Sequence, residues 1–197
     1  MDLEVLRSGP LEDVVDPAPV VARQTVFGGR VWDIVRETVT FGGSPMTREY
    51  MAHSGAVVVV AVDDEGRILL INQYRQPIGT RDWELPAGLL DVEGEDRLAA
   101  AQRELAEEAD LVAADWRELV AYHPSAGGSN ELITIFEARG LSAAPTMHER
   151  TDEEAEIVVR WAALDDVVDG IRAGRLHNGP LVTAALLVYA RRVDDRR

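Results

Sequence analysis

Three glutamates crowd one short stretch of the chain, residues 103–110, which reads RELAEEAD. In a helix, Glu104 and Glu108 would lie one turn apart on the same face, with Glu107 beside them. Like charges spaced in this way destabilise an isolated helix by roughly 0.2–0.5 kcal/mol per pair. The three carboxylates therefore indicate either a solvated surface face or a set of ligands for a cation.

The composition narrows the chemistry that these carboxylates can serve. The 197 residues carry a net charge of −15, which argues against a protein that binds nucleic acid or an anionic membrane surface. All 20 basic residues are Arg and there is no Cys, which excludes a phosphate-binding Lys, a Schiff base, a thiolate nucleophile and a disulfide. An acidic protein that handles an anionic substrate usually needs a metal cation between the two.

The start of the chain lacks the basic and apolar pattern of a secretory signal. No apolar run reaches the roughly 18–20 residues of a membrane span. We therefore expect a soluble, cytoplasmic protein that is not attached to a membrane. Its length suits one ordinary domain with an additional element, or two small domains.

The elements that position the glutamates can be predicted from the pattern before and around them. GAVVVVAV (55–62) is typical of a buried strand, and RILLINQYR (67–75) predicts the second strand of a hairpin after the turn DDEG. The Gly- and Pro-rich residues 76–95 predict an irregular loop. Asp96 is a candidate N-cap, and apolar residues then recur at three- and four-residue steps, which predicts a helix.

The rest of the chain predicts a mixed α/β protein. Residues 132–140 and 156–164 are typical of strands, and residues 165–174 and 180–192 are typical of helices. Residues 1–50 are rich in Val and Thr with paired glycines, which predicts a few strands joined by turns. A small β-rich element should therefore precede a domain of mixed α/β class.

The loop and helix together, ELPAGLLDVEGEDRLAAAQRELAEEADL, resemble the Nudix box. From Glu95 onward the spacing of that motif is kept. Two positions depart from it: six residues rather than five separate Gly88 from Glu95, and Asp110 stands where the motif has its last Gly. Asp is among the few non-glycine residues that adopt the left-handed backbone of such a helix end. Arg103 is expected to point away from the centre of the three glutamates and to orient Glu95 or another carboxylate of the box by charge-assisted hydrogen bonds.

The resemblance implies that Glu104, Glu107 and Glu108 are metal ligands. Mg²⁺ prefers a few carboxylates together with phosphate oxygens and water, and Mn²⁺ can substitute for it. Two or more ions per site are expected. In Nudix enzymes a backbone carbonyl completes the site, which implies Ala87 here, and Glu107 is also expected to act in catalysis by holding the attacking water.

Five further segments resemble bacterial ADP-ribose pyrophosphatases: QYRQP, WELPAGLLD, HPSAGGSNE, DEEAEI and GRLHNGP. This resemblance implies metal-dependent hydrolysis of ADP-ribose to AMP and ribose 5-phosphate. It also implies an α/β/α sandwich with a mixed sheet, which we assign to residues 51–197. Residues 1–50 are then expected to form a β-rich dimerisation element that swaps across a homodimer.

The resemblance further implies a catalytic base on a loop that follows the box. Laid onto DEEAEI, this position falls on Glu153, with Glu154 and Glu156 as alternatives because the loop offers little to fix its register. A loop carboxylate can reach the attacking water and close on bound substrate. The residues implied to contact the substrate are Arg48, Glu49, Arg75, Leu89, Ser125, Gly127 and Glu131.

Two alternatives to ADP-ribose hydrolysis stay open. ADP-ribose pyrophosphatases usually carry a Pro about sixteen residues beyond the last Gly of the box, and that position is Ala126 here. A pyrophosphatase for another nucleoside-diphosphate sugar or a dinucleotide is therefore one alternative. The other is a Nudix-fold sensor that binds ADP-ribose without cleaving it, although such modules usually lose box carboxylates.

Trp83 is expected to pack rather than to stack on a base, and His53 and His123 are expected to have structural roles.

Overall fold

The computed structural model describes residues 10–146 and 156–194, and the chain divides into two compact units, Met1–Met51 and Ala52–Arg197. Numbered in chain order, the elements are β1 Val20–Phe27, β2 Asp33–Phe41, β3 Ser44–Ala52, β4 Ala56–Ala61, β5 Arg67–Arg75, β6 Thr80–Glu84, β7 Ala87–Leu89, α1 Arg97–Ala109, β8 Leu111–Tyr122, β9 Ile133–Ala143, β10 Val158–Ala163, α2 Leu164–Arg172 and α3 Gly179–Asp194. Within the described ranges, no helix is long and apolar enough to cross a membrane.

The N-terminal unit is built on a three-stranded sheet in the order β1-β2-β3. β1 pairs antiparallel with β2. Gly42 and Gly43 connect β2 to β3 with φ values of 58° and 79°, and a two-residue hairpin turn of this kind needs positive φ at both positions. Val35 is buried, while Phe27 and Phe41 are each 63% exposed. The predicted β-rich element is therefore present, and much of its apolar surface faces outward.

The second unit is an α/β/α sandwich, which confirms the predicted fold class. Its sheets have the orders β7-β4-β9-β8 and β10-β5-β6. β4 runs parallel to β9 and antiparallel to β7, so the larger sheet is mixed. Because strand side chains alternate, Val57 and Val59 pack on the face that α1 covers, whereas Val58 and Val60 pack on the face that α2 and α3 cover.

The predicted loop over residues 76–95 is wrong in part, because β6 and β7 lie within it. β6 pairs with the end of β5, and β7 pairs with the start of β4. Both strands are short and take their hydrogen bonds from longer neighbours, while the Gly and Pro residues around them hide the strand pattern. The pattern over residues 111–122 predicts no element, yet β8 forms there at the edge of the sheet beside β9.

Candidate active site

The helix that carries the glutamates begins and ends at capping residues. The side chain of Asp96 accepts hydrogen bonds from the backbone N–H groups of Leu98 and Ala99, which confirms the predicted N-cap. At the other end Asp110 adopts φ 54° and ψ 35°, in the left-handed region. Among the described residues it is the only non-glycine with positive φ, so its role as a substitute for the helix-ending Gly is confirmed.

Burial excludes the interpretation of the three glutamates as a solvated surface face. Glu104 is 9% exposed and Glu108 is 6% exposed, while Glu107 is partly exposed. Removing a carboxylate from water without a partner is costly, so buried carboxylates are paired, hydrogen-bonded or bound to a metal. Glu104 and Glu108 must therefore have partners that this part of the fold supplies.

The short strand β7 supplies two close contacts to these carboxylates. The backbone N–H of Ala87 donates a hydrogen bond of 2.9 Å to Oε2 of Glu108. At the next residue, Gly88, a Cβ atom would lie 1.9 Å from Oε1 of Glu104. Since Gly88 is paired with Val57 of β4, the sheet fixes its backbone against the helix. A side chain at the box glycine would therefore displace the carboxylate of a box glutamate.

Arg103 joins the carboxylates of the box to one another. Its guanidinium donates two hydrogen bonds to Glu95, at 3.1 and 3.0 Å, which confirms that it orients this residue. It also donates to Glu104 at 2.6 Å and to Glu107 at 2.9 Å. The prediction that Arg103 points away from the centre of the three glutamates is therefore wrong: i,i+4 spacing brings its side chain over Glu107. The hydrogen bonds to Glu95, ahead of those to the other carboxylates, raise the pKa of Arg103 well above its usual range.

The donor set suits a hard divalent cation. Glu104, Glu107 and Glu108 bring only carboxylate oxygens, which are the ligands that Mg²⁺ and Mn²⁺ prefer. Within residues 10–146 and 156–194, no three carboxylate or imidazole side chains converge closely enough to hold an ion as they stand. Arg103 engages one oxygen each of Glu104 and Glu107, so these side chains must reorient for an ion to be shared. The residues therefore fit a metal by chemistry and burial, with Arg103 balancing their charge.

Arg75, a predicted substrate contact, is held by a carboxylate that the sequence did not single out. Its Nε and Nη2 atoms donate to the two oxygens of Glu84, each at 2.8 Å. The Glu84 side chain is 4% exposed, against 43% for Arg75. Such a two-pronged pair fixes the plane of the guanidinium. The sequence feature that points to Glu84 is its position in WELPAG, two residues before the Pro of that segment.

The loop after β8 holds three of the other predicted contacts. The carbonyl of Ser125 accepts hydrogen bonds from the backbone N–H groups of Gly128 and Ser129, which closes a turn around Gly127. A Cβ at Gly127 would meet open space, so packing does not require Gly there. Nε2 of His53 lies 3.6 Å from Oε1 of Glu131. These contacts place Glu131 at the end of the loop beside a buried imidazole.

The histidines and Trp83 have the structural roles that the sequence predicts. Nδ1 of His53 accepts from the backbone N–H of Gly55 at 2.9 Å, which places the ring proton on Nε2. Nδ1 of His123 donates to the carbonyl of Glu131 at 2.6 Å. Trp83 packs against the apolar cluster beneath α2 and α3.

The remaining predicted residues are Glu153 with its two alternatives and three predicted substrate contacts. Glu153 and Glu154 lie outside the described residues. Glu156 is described and forms an ion pair with Arg81 of β6. The last three predicted contacts are found as follows: Leu89 pairs with Ala56 in the sheet, Arg48 donates to the carbonyl of Thr47, and Glu49 accepts from Arg36 at 2.7 Å.

Comparison with known proteins agrees with this geometry. Residues 51–184 match the model of the NUDIX domain. The chain is 37% identical to an ADP-ribose pyrophosphatase of Mycobacterium tuberculosis over 173 residues, 86% of this chain and 82% of the relative. It is 33% identical to an ADP-ribose pyrophosphatase of Bacillus subtilis over 159 residues, 80% of this chain and 85% of the relative.

A solved structure described as that of an ADP compounds hydrolase has the same fold. Its TM-score is 0.75 at 21% identity, covering 91% of this chain and 96% of the other. Nudix hydrolases generally depend on a divalent metal, in agreement with the carboxylates on α1. With the domain match over most of its length and relatives above 30% identity, this chain is a member of the Nudix hydrolase family.

Proposed function

We propose that this protein hydrolyses the pyrophosphate bond of ADP-ribose, giving AMP and ribose 5-phosphate, with Mg²⁺ as the activating ion. One observation carries the proposal: two buried glutamates on α1 are held against β7, Glu108 by the N–H of Ala87 and Glu104 against Gly88 and beside Arg103. The relatives named ADP-ribose pyrophosphatase, which match over most of both chains, support ADP-ribose as the substrate.

The carboxylates of Glu104, Glu107 and Glu108 and the carbonyl of Ala87 would hold the metal. When bound, Mg²⁺ or Mn²⁺, as two or more ions, polarises the phosphoryl group and lowers the pKa of an attacking water. The protein's own contribution is to orient the ligands. The N–H of Ala87 fixes one oxygen of Glu108, and Arg103 fixes one oxygen of Glu104.

Glu153 is the residue that we assign as the general base, with Glu107 assisting by holding the attacking water. The ion pair between Glu156 and Arg81 supports this choice over Glu156, because that carboxylate is already engaged by a guanidinium. Glu154 remains the other alternative. A base on a loop can be brought to the water when substrate closes the site.

The substrate contacts divide by the two ends of ADP-ribose. Arg75, fixed by Glu84, is suited to a phosphate because a guanidinium matches phosphate oxygens in pairs. Ser125, Gly127 and Glu131 are assigned to the terminal ribose, and the backbone of Leu89 to the ligand beside the metal. In the N-terminal unit, Arg48 and Glu49 are proposed to contact the nucleotide of the other subunit.

The exposed apolar surface of the N-terminal unit supports a homodimer with this element swapped. Val20, Val31 and Trp32 are 57%, 60% and 41% exposed, and Phe27 and Phe41 are each 63% exposed. A monomer rarely leaves such a surface in water. Light scattering after size-exclusion chromatography should give twice the mass of the chain, and deletion of residues 1–50 should give the mass of a monomer.

Two observations bear on the alternative functions. A sensor without catalysis has no need for a full set of box carboxylates, and Glu104, Glu107 and Glu108 are all present. Ala126 at the position of the usual Pro leaves other nucleoside-diphosphate sugars and dinucleotides as a second candidate substrate class. Hydrolysis of either substrate class would use the same metal site, and the two classes would differ in their contacts with the loop that contains Ser125 and Gly127.

The direct test is release of AMP from ADP-ribose in a panel that includes other nucleoside-diphosphate sugars and dinucleotides. The wild type should hydrolyse ADP-ribose with the highest kcat/KM, lose activity to a chelator and regain it with Mg²⁺. Glu108→Gln, which keeps the size of the side chain, should be nearly inactive, while the exposed Glu93→Gln should match the wild type. Absence of metal-dependent turnover of any diphosphate in the panel would exclude an enzymatic function.

A further inference from the structure

A second polar cluster lies on the face of the sheet opposite the box. Glu137 of β9 is 4% exposed. Alternation along this strand places it with Ile133 and Ile135, on the face that α2 and α3 cover, whereas Phe136 and Ala138 face α1. The buried carboxylate of Glu137 is therefore separated from the glutamates of α1 by the thickness of the sheet.

Three arginines surround the Glu137 carboxylate. Nη2 of Arg117 and Nε of Arg139 each lie 2.5 Å from one of its oxygens, and Nη1 of Arg191 lies 4.0 Å from Oε2. Arg191 is too far from the carboxylate for a hydrogen bond, so Glu137 accepts hydrogen bonds from only two of the three guanidiniums. The cluster thus carries an excess of positive charge within a chain whose net charge is −15.

A cavity of about 240 Å³ opens beside this cluster, between β9 and the C-terminal end of α3. Arg191 and Arg192 line it together with the apolar side chains of Val62, Leu164 and Val188. Nη1 of Arg191 and Nε of Arg192 are both buried and donate no hydrogen bond to any of the described residues. Arg192 is oriented by an ion pair with Asp165 and by the ring of Tyr189, 5.0 Å from its guanidinium carbon.

From this geometry we infer a second anion-binding site, the arginine cavity, which takes a phosphate group. The guanidiniums of Arg191 and Arg192, which line the cavity, would bind its oxygens, and the charge of the anion would balance the excess of positive charge. Arg117 and Arg139 line the same cavity, and each donates one hydrogen bond to Glu137. The apolar walls lower the local dielectric and so strengthen these charge-assisted bonds.

The volume and the donor set favour inorganic phosphate or the phosphate group of a small phosphomonoester. Two guanidiniums match the tetrahedral oxygens of phosphate better than they match a monatomic anion such as chloride. Apart from the arginines and Glu137, which they already engage, the described residues that line the cavity are Gly66 and apolar residues, so they offer no polar side chain to a second charged group. The site is therefore distinct in position and in chemistry from the carboxylate-rich site on α1.

The test is titration of the metal-free protein with inorganic phosphate, by calorimetry and by thermal melting at constant ionic strength with chloride as the reference salt. Phosphate should bind and raise the Tm relative to chloride. The double variant Arg191→Gln/Arg192→Gln should bind phosphate at least about tenfold more weakly, because two charge-assisted hydrogen bonds are lost. The exposed Arg172→Gln of α2 is the matched control and should bind as the wild type does.

Arg75→Gln separates the arginine cavity from the proposed catalytic site. This variant should keep phosphate binding and the rise in Tm, and loss of either would assign the phosphate to the catalytic site and overturn the inference. Equal binding by the double variant and the wild type, or no binding by the wild type, would overturn it as well. Competition by ribose 5-phosphate would identify the ligand as a phosphomonoester, and its absence would identify free phosphate.

Glu137→Gln gives an independent measurement if the double variant does not fold. Removing the carboxylate frees Arg117 and Arg139 to bind an external anion, so this variant should bind phosphate more tightly than the wild type. Its Tm should also rise more steeply with phosphate than the Tm of the wild type. Equal or weaker binding by Glu137→Gln would contradict the arginine cavity as the site.

Discussion

Gly88 and Glu104 are in such close contact that a Cβ at Gly88 would lie 1.9 Å from Oε1 of the glutamate. The two residues belong to different elements, and each is fixed by its own hydrogen bonds. Gly88 is paired with Val57 in the sheet, and Glu104 is bound to Arg103 at 2.6 Å. The position of a proposed metal ligand therefore depends on the absence of a side chain sixteen residues earlier in the chain.

Gly88→Ala should displace the Glu104 carboxylate and lower kcat for ADP-ribose on the order of 10²-fold, the effect of a shift of about 1 Å in a catalytic group. Overpacking should also reduce the free energy of unfolding by about 1–3 kcal/mol. Steady-state kinetics and urea unfolding measure the two effects. Gly179→Ala is the control, because a Cβ there meets nothing within 4 Å. Unchanged kcat in Gly88→Ala would show that Glu104 does not need its observed position.

The left-handed end of α1 predicts a specific order of stability at residue 110. Asp110→Ala should lower the free energy of unfolding by about 1 kcal/mol, because Ala lacks both the tolerance of Asp for this region and the freedom of Gly. Asp110→Asn should be close to the wild type, and Asp110→Gly should be no less stable. Urea unfolding of the three variants measures this order. Equal stability of the Ala and Asn variants would contradict a backbone cause.

The ends of α1 and the carboxylates on it could be predicted from the sequence because they depend on local spacing. Asp96 caps the N–H groups two and three residues later, and Asp110 ends the same helix. The partners of Arg103 and Arg75 could be predicted only in part. Arg75 meets Glu84 because the β5–β6 hairpin folds back on itself, and residues 76–95 show no clear strand pattern. Contacts that depend on how two strands pair could therefore not be predicted from the local spacing of residues.

The arginines around Glu137 predict a pH dependence of stability. Burial alone would raise the pKa of Glu137, but the hydrogen bonds from Arg117 and Arg139 outweigh it and hold the pKa below its ordinary value. A carboxyl whose folded pKa is depressed contributes stability above its unfolded pKa, and this contribution is lost as the pH falls through the folded pKa. The free energy of unfolding of the wild type should therefore fall below about pH 5.

Glu137→Gln should be less stable than the wild type at pH 7 and should show a shallower fall on the acid side. Urea unfolding at a series of pH values measures both slopes. The exposed Glu12→Gln should keep the slope of the wild type. Parallel curves for the wild type and Glu137→Gln would show that this carboxyl does not contribute to acid unfolding.

The bidentate pair of Arg75 and Glu84 predicts that Glu84 is a positioning residue for substrate binding. Glu84→Gln should raise KM for ADP-ribose by about tenfold with a smaller change in kcat, because one of two charge-assisted bonds to Arg75 is weakened. Arg75→Ala should raise KM further. If Glu84 acts through Arg75, the double variant should be no worse than Arg75→Ala alone. Additive losses would instead indicate a purely structural role for Glu84.

Substitution of Glu153, Glu154 and Glu156 in turn distinguishes the proposed base from its alternatives. Glu153→Gln should lower kcat by a factor of roughly 10²–10⁴, the usual contribution of a general base, and should leave metal binding unchanged because Glu153 is not assigned as a ligand. Calorimetric titration with Mn²⁺ measures metal binding, and AMP release measures kcat. Glu156→Gln should keep most of its activity, since Glu156 is paired with Arg81. A large loss in Glu154→Gln with near-normal activity in Glu153→Gln would move the base by one residue along the loop.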